Sequence, residues 1–129
     1  MNTPAFDPAT EKYVSLATYR RNGVEVKTPV WIAKGTGHYY VFSAGDAGKV
    51  KRSRATPRVR LAACDVRGDV RSGWIEAGAR IIADPASISE ARKALRDKYG
   101  LVMLLTDAMA TLTGRIRRRA YIEIDLADS

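Results

Sequence analysis

A single cysteine, Cys64, and a single histidine, His38, stand among the 129 residues of this chain. One thiol closes no internal disulfide, which fits a reducing compartment and sets the expectation of a cytoplasmic protein. One histidine and one cysteine fall short of a zinc ligand set, so no metal is expected. Nor does a Ser-His-Asp triad suggest itself, because nothing locates an acid or a nucleophile beside His38. Gly-x-Gly-x-x-Gly and P-loop patterns are absent. No apolar run approaches the roughly 20 residues of a membrane helix. The opening Met-Asn-Thr-Pro-Ala-Phe-Asp-Pro lacks the apolar segment of a secretory signal. If the chain is an enzyme, a bound cofactor carries the difficult chemistry and the protein positions it.

Acidic residues are also scarce where basic ones gather. The formal net charge is +8, and residues 49–60 hold Lys49, Lys51, Arg52, Arg54, Arg58 and Arg60 with no acid. Arg115, Arg117, Arg118 and Arg119 form a second cluster. Such a balance calls for an anionic partner: a phosphorylated small molecule, a nucleic acid or a membrane surface. No recognition motif supports nucleic acid, and nothing favours a membrane. A small phosphorylated ligand is left, weighed against two merely solvated basic faces.

The chain reads as one domain over residues 1–129, mainly β with minor α. The first dozen residues have room for a short helix. Tyr13–Tyr19 alternates at strand period, and Arg21-Asn-Gly23 is a hairpin turn. Residues 24–34 read as one second strand, in which Pro29 requires either a sheet edge or a position where no ladder donor is needed. Gly35-Thr-Gly37 turns the chain into a strand over residues 38–43, in which His38 is a surface or structural residue. Residues 48–56 favour a helix that Pro57 stops. A strand over 59–65 makes Cys64 a small buried apolar residue. Residues 66–70 turn, and residues 73–83 form a long strand with a bulge or tight bend expected at Gly78. Ser87 and Glu90 have capping-box spacing, and Ile88, Ala91, Leu95 and Tyr99 recur at helical intervals. Gly100 breaks or kinks this helix, and Val102, Leu105, Met109 and Leu112 continue the apolar stripe. Residues 120–126 alternate strictly and close the sheet. Several hairpin-linked strands with few helices point to an antiparallel barrel.

Ser43-Ala-Gly-Asp-Ala-Gly-Lys49 carries the strongest chemical signal. A strand ends, a glycine-containing loop follows, and a basic helix begins near Gly48. Free N–H groups and partial positive charge at a helix start suit a phosphate. Gly45 and Gly48 allow close backbone approach. Lys49 is the core contact in this reading, supported by Lys51 and Arg52.

Thr28-Pro29-Val30-Trp31, Tyr40-Val-Phe-Ser43, Gly48-Lys49-Val50-Lys51-Arg52 and Pro57-Arg58-Val59, in that order, resemble the split β-barrel superfamily of pyridoxamine 5′-phosphate oxidases. The branch most similar is that of the oxidoreductases dependent on the deazaflavin coenzyme F420. The resemblance runs from Tyr13 through the last strand. It implies a split antiparallel β-barrel with a short inserted helix and a helical excursion before the final strand. It also implies hydride transfer between F420H2 and an unsaturated or conjugated small molecule, with no dedicated catalytic side chain. Oxidases that bind FMN carry Ser-Arg-Lys at the start of the inserted helix, where this chain has Ala47-Gly48-Lys49. Their Arg-x-Val-Leu-Leu-Lys strand is replaced by Lys27-Thr-Pro-Val-Trp-Ile32. Two FMN charge contacts are thus missing, which favours F420 over FMN. By the same resemblance Thr28, Pro29, Val30 and Trp31 lie against the ring system, with Ser43 and Ala44 near it. Gly48, Lys49, Val50, Lys51 and Arg52 then meet the phosphate or the oligoglutamate tail. Two protomers would share each cofactor groove, with Trp74 and Arg115 to Arg119 within reach of the partner's site. An FMN-binding oxidoreductase or electron carrier and a non-catalytic cofactor-storing protein are the alternatives.

Overall fold

The computed structural model describes residues 5–44, 48, 51–52, 57–115 and 119–127. Seven strands and two helices follow in chain order among them: β1 (Tyr13–Tyr19), β2 (Glu25–Val30), β3 (Ile32–Lys34), β4 (Tyr39–Ala44), β5 (Arg58–Cys64), β6 (Ile75–Ile82), α1 (Pro85–Tyr99), α2 (Leu101–Leu112) and β7 (Arg119–Leu126). The strands make one antiparallel sheet in the order β2-β1-β5-β6-β7-β4-β3. Its two outermost strands, β2 and β3, are consecutive in the chain and separated by Trp31 alone. The sheet therefore curls round towards itself into a half-barrel.

The expected single strand over residues 24–34 is two strands, because Trp31 is a corner. β2 pairs with β1 and β3 pairs with β4. Pro29 does lie on an edge strand, where its missing N–H costs no ladder bond. Gly23 (φ +88°) makes the β1–β2 turn, with Arg20 N donating to Val24 O at 2.9 Å. Gly78 forms no bulge: it stands in unbroken register opposite Arg58 and Asp125. Residues 5–12 bend and turn instead of forming a helix, Thr10 N donating to Asp7 O at 3.1 Å.

Two cores result. Val14, Leu16, Val30, Ile32, Val41, Val59, Leu61, Ile122 and Ile124 fill the barrel interior. On the outer face of β3, β4 and β7, Ala33, Tyr40 and Tyr121 pack against Ala91, Ala94 and Leu95 of α1 and Met103 of α2. Cys64 is buried, as its strand position implies. α1 is capped by Asp84, whose Oδ2 accepts from Ser87 N at 2.9 Å, with Pro85 opening the helix. The Ser87–Glu90 capping box does not form. Glu90 instead accepts from Tyr40 Oη (2.8 Å) and Thr36 N (2.6 Å), tying α1 to the β3–β4 turn. Gly100 (φ +58°) ends α1, a backbone conformation that suits glycine.

α2 departs from an ordinary amphipathic helix. Met103 and Asp107 are its buried residues, whereas Leu101, Val102, Leu104, Leu105, Met109 and Leu112 are 50–81% exposed. The predicted stripe of residues 102, 105, 109 and 112 thus faces away from the core. No helix among the described residues is long and apolar enough to cross a membrane.

Candidate functional site

The residues singled out from the sequence fall into three groups. The first is the β2–β3 corner. Thr28 and Pro29 pair with Leu16 and Ser15 of β1. Val30 is buried in the barrel core, so only its backbone is free for a ligand. Trp31 is held from outside: its ring stacks on Tyr99 at 4.6 Å and 11°. The C-terminal end of α1 pins the same corner. Lys98 Nζ donates to Ile32 O (2.6 Å), Pro8 O and Glu11 O, and Tyr99 Oη accepts from Ile32 N at 3.0 Å. Burial pulls the Lys98 ammonium down to about 8 and pushes the Tyr99 phenol up to about 12.

The second group is the end of β4. Trp31 meets Phe42 edge-on at 6.1 Å, and Ser43 and Ala44 follow Phe42 at the end of the strand. Beside Phe42 and Ser43 opens a cavity of about 720 Å³, walled by Val102, Leu105, Thr106, Met109, Ala110 and Thr113 of α2 and its end, with Arg115 and Arg119. A mostly apolar lining with a few hydroxyls and two guanidiniums suits a partly polar organic ligand.

The third group is the helical turn. Gly48, Lys51 and Arg52 are helical, and Gly48 and Lys51 are exposed; Lys49 and Val50 lie outside the described residues. Arg52 docks this turn on the sheet, its Nε donating to Thr18 Oγ1 at 2.6 Å. A side chain at residue 48 would begin 2.5 Å from Arg52 Nη1. The guanidinium therefore occupies the space beside Gly48. Burial first, then repulsion from Arg20, holds the Arg52 guanidinium below its ordinary range. No carboxylate pairs with Arg52 among the described residues.

The second basic cluster behaves differently. Arg119 is not a solvated or partner-seeking charge: its side chain is 5% exposed and its Nη1 donates to Asp107 Oδ1 at 2.6 Å. Arg96 Nε takes the other oxygen of Asp107 at 2.8 Å. Burial pushes the Asp107 carboxyl up, but these two guanidiniums outweigh it and leave it below the usual carboxylate range. Arg119 also lies 4.6 Å over the Phe42 ring, so it fixes one wall of the cavity. Arg115 is exposed and lines the cavity; Arg117 and Arg118 lie outside the described residues. Trp74 is held on the sheet surface between Lys27 (5.2 Å) and Arg60 (4.9 Å).

Thr18, Arg20 and Asp107 escaped the sequence reading. Each left a signal. Thr18 is the polar member of the otherwise apolar series Val14, Leu16, Thr18, and Asp107 is the lone charge in the apolar run of residues 101–112.

Neither a protein-family model nor a curated protein matches this chain. Solved structures do. The haem storage protein HutZ from Vibrio cholerae superposes with a TM-score of 0.73 at 12% identity, over 95% of this chain and 86% of that one. An F420 reductase gives 0.65 at 16% identity, over 99% and 97%. A candidate pyridoxamine 5′-phosphate oxidase from Listeria innocua gives 0.61 at 9% identity, over 94% and 88%. The fold is therefore the split β-barrel of the pyridoxamine-phosphate-oxidase type.

Proposed function

We propose that this chain is an oxidoreductase that uses coenzyme F420 to reduce an unsaturated or conjugated small organic molecule. The observation that carries the reading is Arg52: a half-buried guanidinium, fixed by Thr18, repelled by Arg20 and without a carboxylate among its described neighbours. Desolvating an unpaired cation is costly, and a phosphate or carboxylate tail seated there would offset that cost. Similarity in fold to an F420 reductase, nearly end to end in both chains, supports the same choice. FMN is disfavoured because Gly48 and Ile32 replace two of the charges that the FMN-binding oxidases use.

The residues present fit such a cofactor. Arg52, with Lys49 and Lys51 beside it in sequence, would hold the anionic end. Thr28, Pro29, Val30 and Trp31, with Ser43 and Ala44, would lie along the ring system, Trp31 being immobilised by Tyr99 and Phe42. When bound, F420H2 supplies a hydride equivalent. The cavity beside Phe42 and Ser43 would take the substrate: its apolar wall excludes water, and Ser43, Thr106 and Arg115 orient polar substituents. Among the described lining residues no side chain is poised as an acid or base, which suits a reaction whose chemistry belongs to the cofactor.

The exposed apolar face of α2 belongs to this reading as the surface where a second protomer packs. Patches of that kind mark interfaces, and Leu105 and Met109 carry both the patch and the cavity wall. Substituting Leu105→Glu should convert a dimer into monomers in light scattering. A wild-type protein that is monomeric at high concentration would remove this part.

Paired titrations with F420 and FMN, followed by fluorescence, test the reading directly. Micromolar binding of F420 without binding of FMN is expected. Tight FMN binding would make the chain a flavin protein of the same fold. Binding of neither would end the proposal.

A further inference from the structure

His38 sits just before β4, and Glu123 and Asp125 lie two residues apart on β7, hence on one face of the sheet. One ligand atom from each of the three lies within 4.8 Å of the others. His38 Nδ1 is 2.5 Å from Asp125 Oδ1 and 3.4 Å from Glu123 Oε1. On a chain of net charge +8, this is a local concentration of carboxylates, and Glu90 also bears on His38.

The decisive group is Glu123. Its side chain is only 6% exposed. Arg80 Nη2 donates to Oε2 at 2.8 Å and fixes the carboxylate plane. Oε1 points at His38, but Nδ1 has one proton at most, and Asp125 takes it. Among the described residues, Oε1 is thus a buried carboxylate oxygen without a hydrogen-bond donor of its own, an uncommon and costly state.

We propose that His38, Glu123 and Asp125 form a binding site for a divalent first-row transition-metal ion such as Zn²⁺. One imidazole nitrogen and two carboxylate oxygens are borderline to hard donors of the kind these ions accept. With metal–ligand distances of about 2.0–2.2 Å, neighbouring donor atoms stand roughly 3–3.5 Å apart. The His38–Glu123 pair already has that separation. The His38–Asp125 pair must open, and Asp125 is free to do so because its side chain is 57% exposed. Gly78 stands opposite Asp125 on β6, and a Cβ there would meet nothing within 4 Å, so the outer face is open to an ion and its waters. Arg80 acts as a positioning residue for Glu123. The site is at the far end of β4 and β7 from Ser43 and Arg119, about five residues or roughly 16 Å away, and it does not depend on the reading of the cofactor site.

The test is calorimetric titration of tag-free, chelator-stripped protein with Zn²⁺, with the visible absorption of Co²⁺ as an independent report of the ligand set. One equivalent should bind at micromolar concentration. His38→Ala and Asp125→Asn, both at partly exposed positions, should each weaken Kd more than tenfold while thermal unfolding stays cooperative. If His38→Ala fails to fold, Asp125→Asn decides. No binding up to 100-fold excess of metal over protein, or binding that neither variant weakens, would overturn the proposal.

Discussion

Arg119 and Arg52 belong to the same excess of positive charge, yet the molecule treats them in opposite ways. Arg119 is buried, and its charge is matched by Asp107 inside the fold. Arg52 is half-buried, its side-chain partner among the described residues is a neutral hydroxyl, and the charge of Arg20 bears on it. The first is therefore structural, and the second is the one the proposed function gives to a ligand. Counting basic residues does not separate these roles; locating the carboxylates does. Arg60, bound to Glu25 at 2.7 Å, falls on the structural side with Arg119.

The largest expected effect lies on the structural side. Arg119→Ala leaves Asp107 buried with Arg96 alone, at a cost of about 3 kcal/mol, or roughly 10 °C in Tm. Thermal unfolding followed by circular dichroism measures it. An unchanged Tm would dissolve the contrast, because Arg119 would then be as free as Arg52.

Arg52→Ala tests the other side. Stability should barely move, while F420 affinity falls roughly ten- to hundredfold, since a hydrogen bond to a charged group is worth about 1.5–3 kcal/mol. Lys49→Ala should lose several-fold in the same titration. Unchanged affinity in either variant removes that residue from the site. Thr18→Val is a subtler probe: it takes away the acceptor that aims Arg52. Its expected cost is about 1 kcal/mol, near fivefold in Kd. An effect on Tm without one on affinity would make Thr18 a packing residue only.

The same contrast explains what the sequence disclosed. Period-two runs and Gly turns carried the strands and their order, because alternation and positive φ are local demands. Pro29 announced, for the same reason, an edge strand or a position without a ladder donor, and the edge is what it occupies. The corner at Trp31 was not legible: its cause is Tyr99, Lys98 and β4, which arrive from residues far along the chain. The capping box failed because Asp84 competed for the cap and Tyr40 claimed Glu90. At the site, the basic stretch was visible as composition, but the partner of each charge is a tertiary fact. Asp107 reaches Arg119 across twelve residues, and Thr18 reaches Arg52 across thirty-four.

The smallest expected effect separates the two arginines by pH. Asp107 has its folded-state pKa below the unfolded value, so it contributes stability that is present above about pH 4 and lost as the pH falls through the folded value. The unfolding free energy of the wild type should therefore decline on the acid side of pH 4, in part through this one group. In Arg119→Ala the carboxyl keeps its burial but loses one of its two guanidiniums, its pKa rises, and the decline below pH 4 becomes shallower. Arg52→Ala touches no carboxylate among the described residues, and its acid limb should run parallel to that of the wild type. Denaturant titrations at pH 3, 4 and 5 on the three proteins provide the comparison. Parallel limbs for all three would mean that Arg96 alone holds Asp107 ionised, and that the charge of Arg119 is less fully committed to the fold than its burial implies.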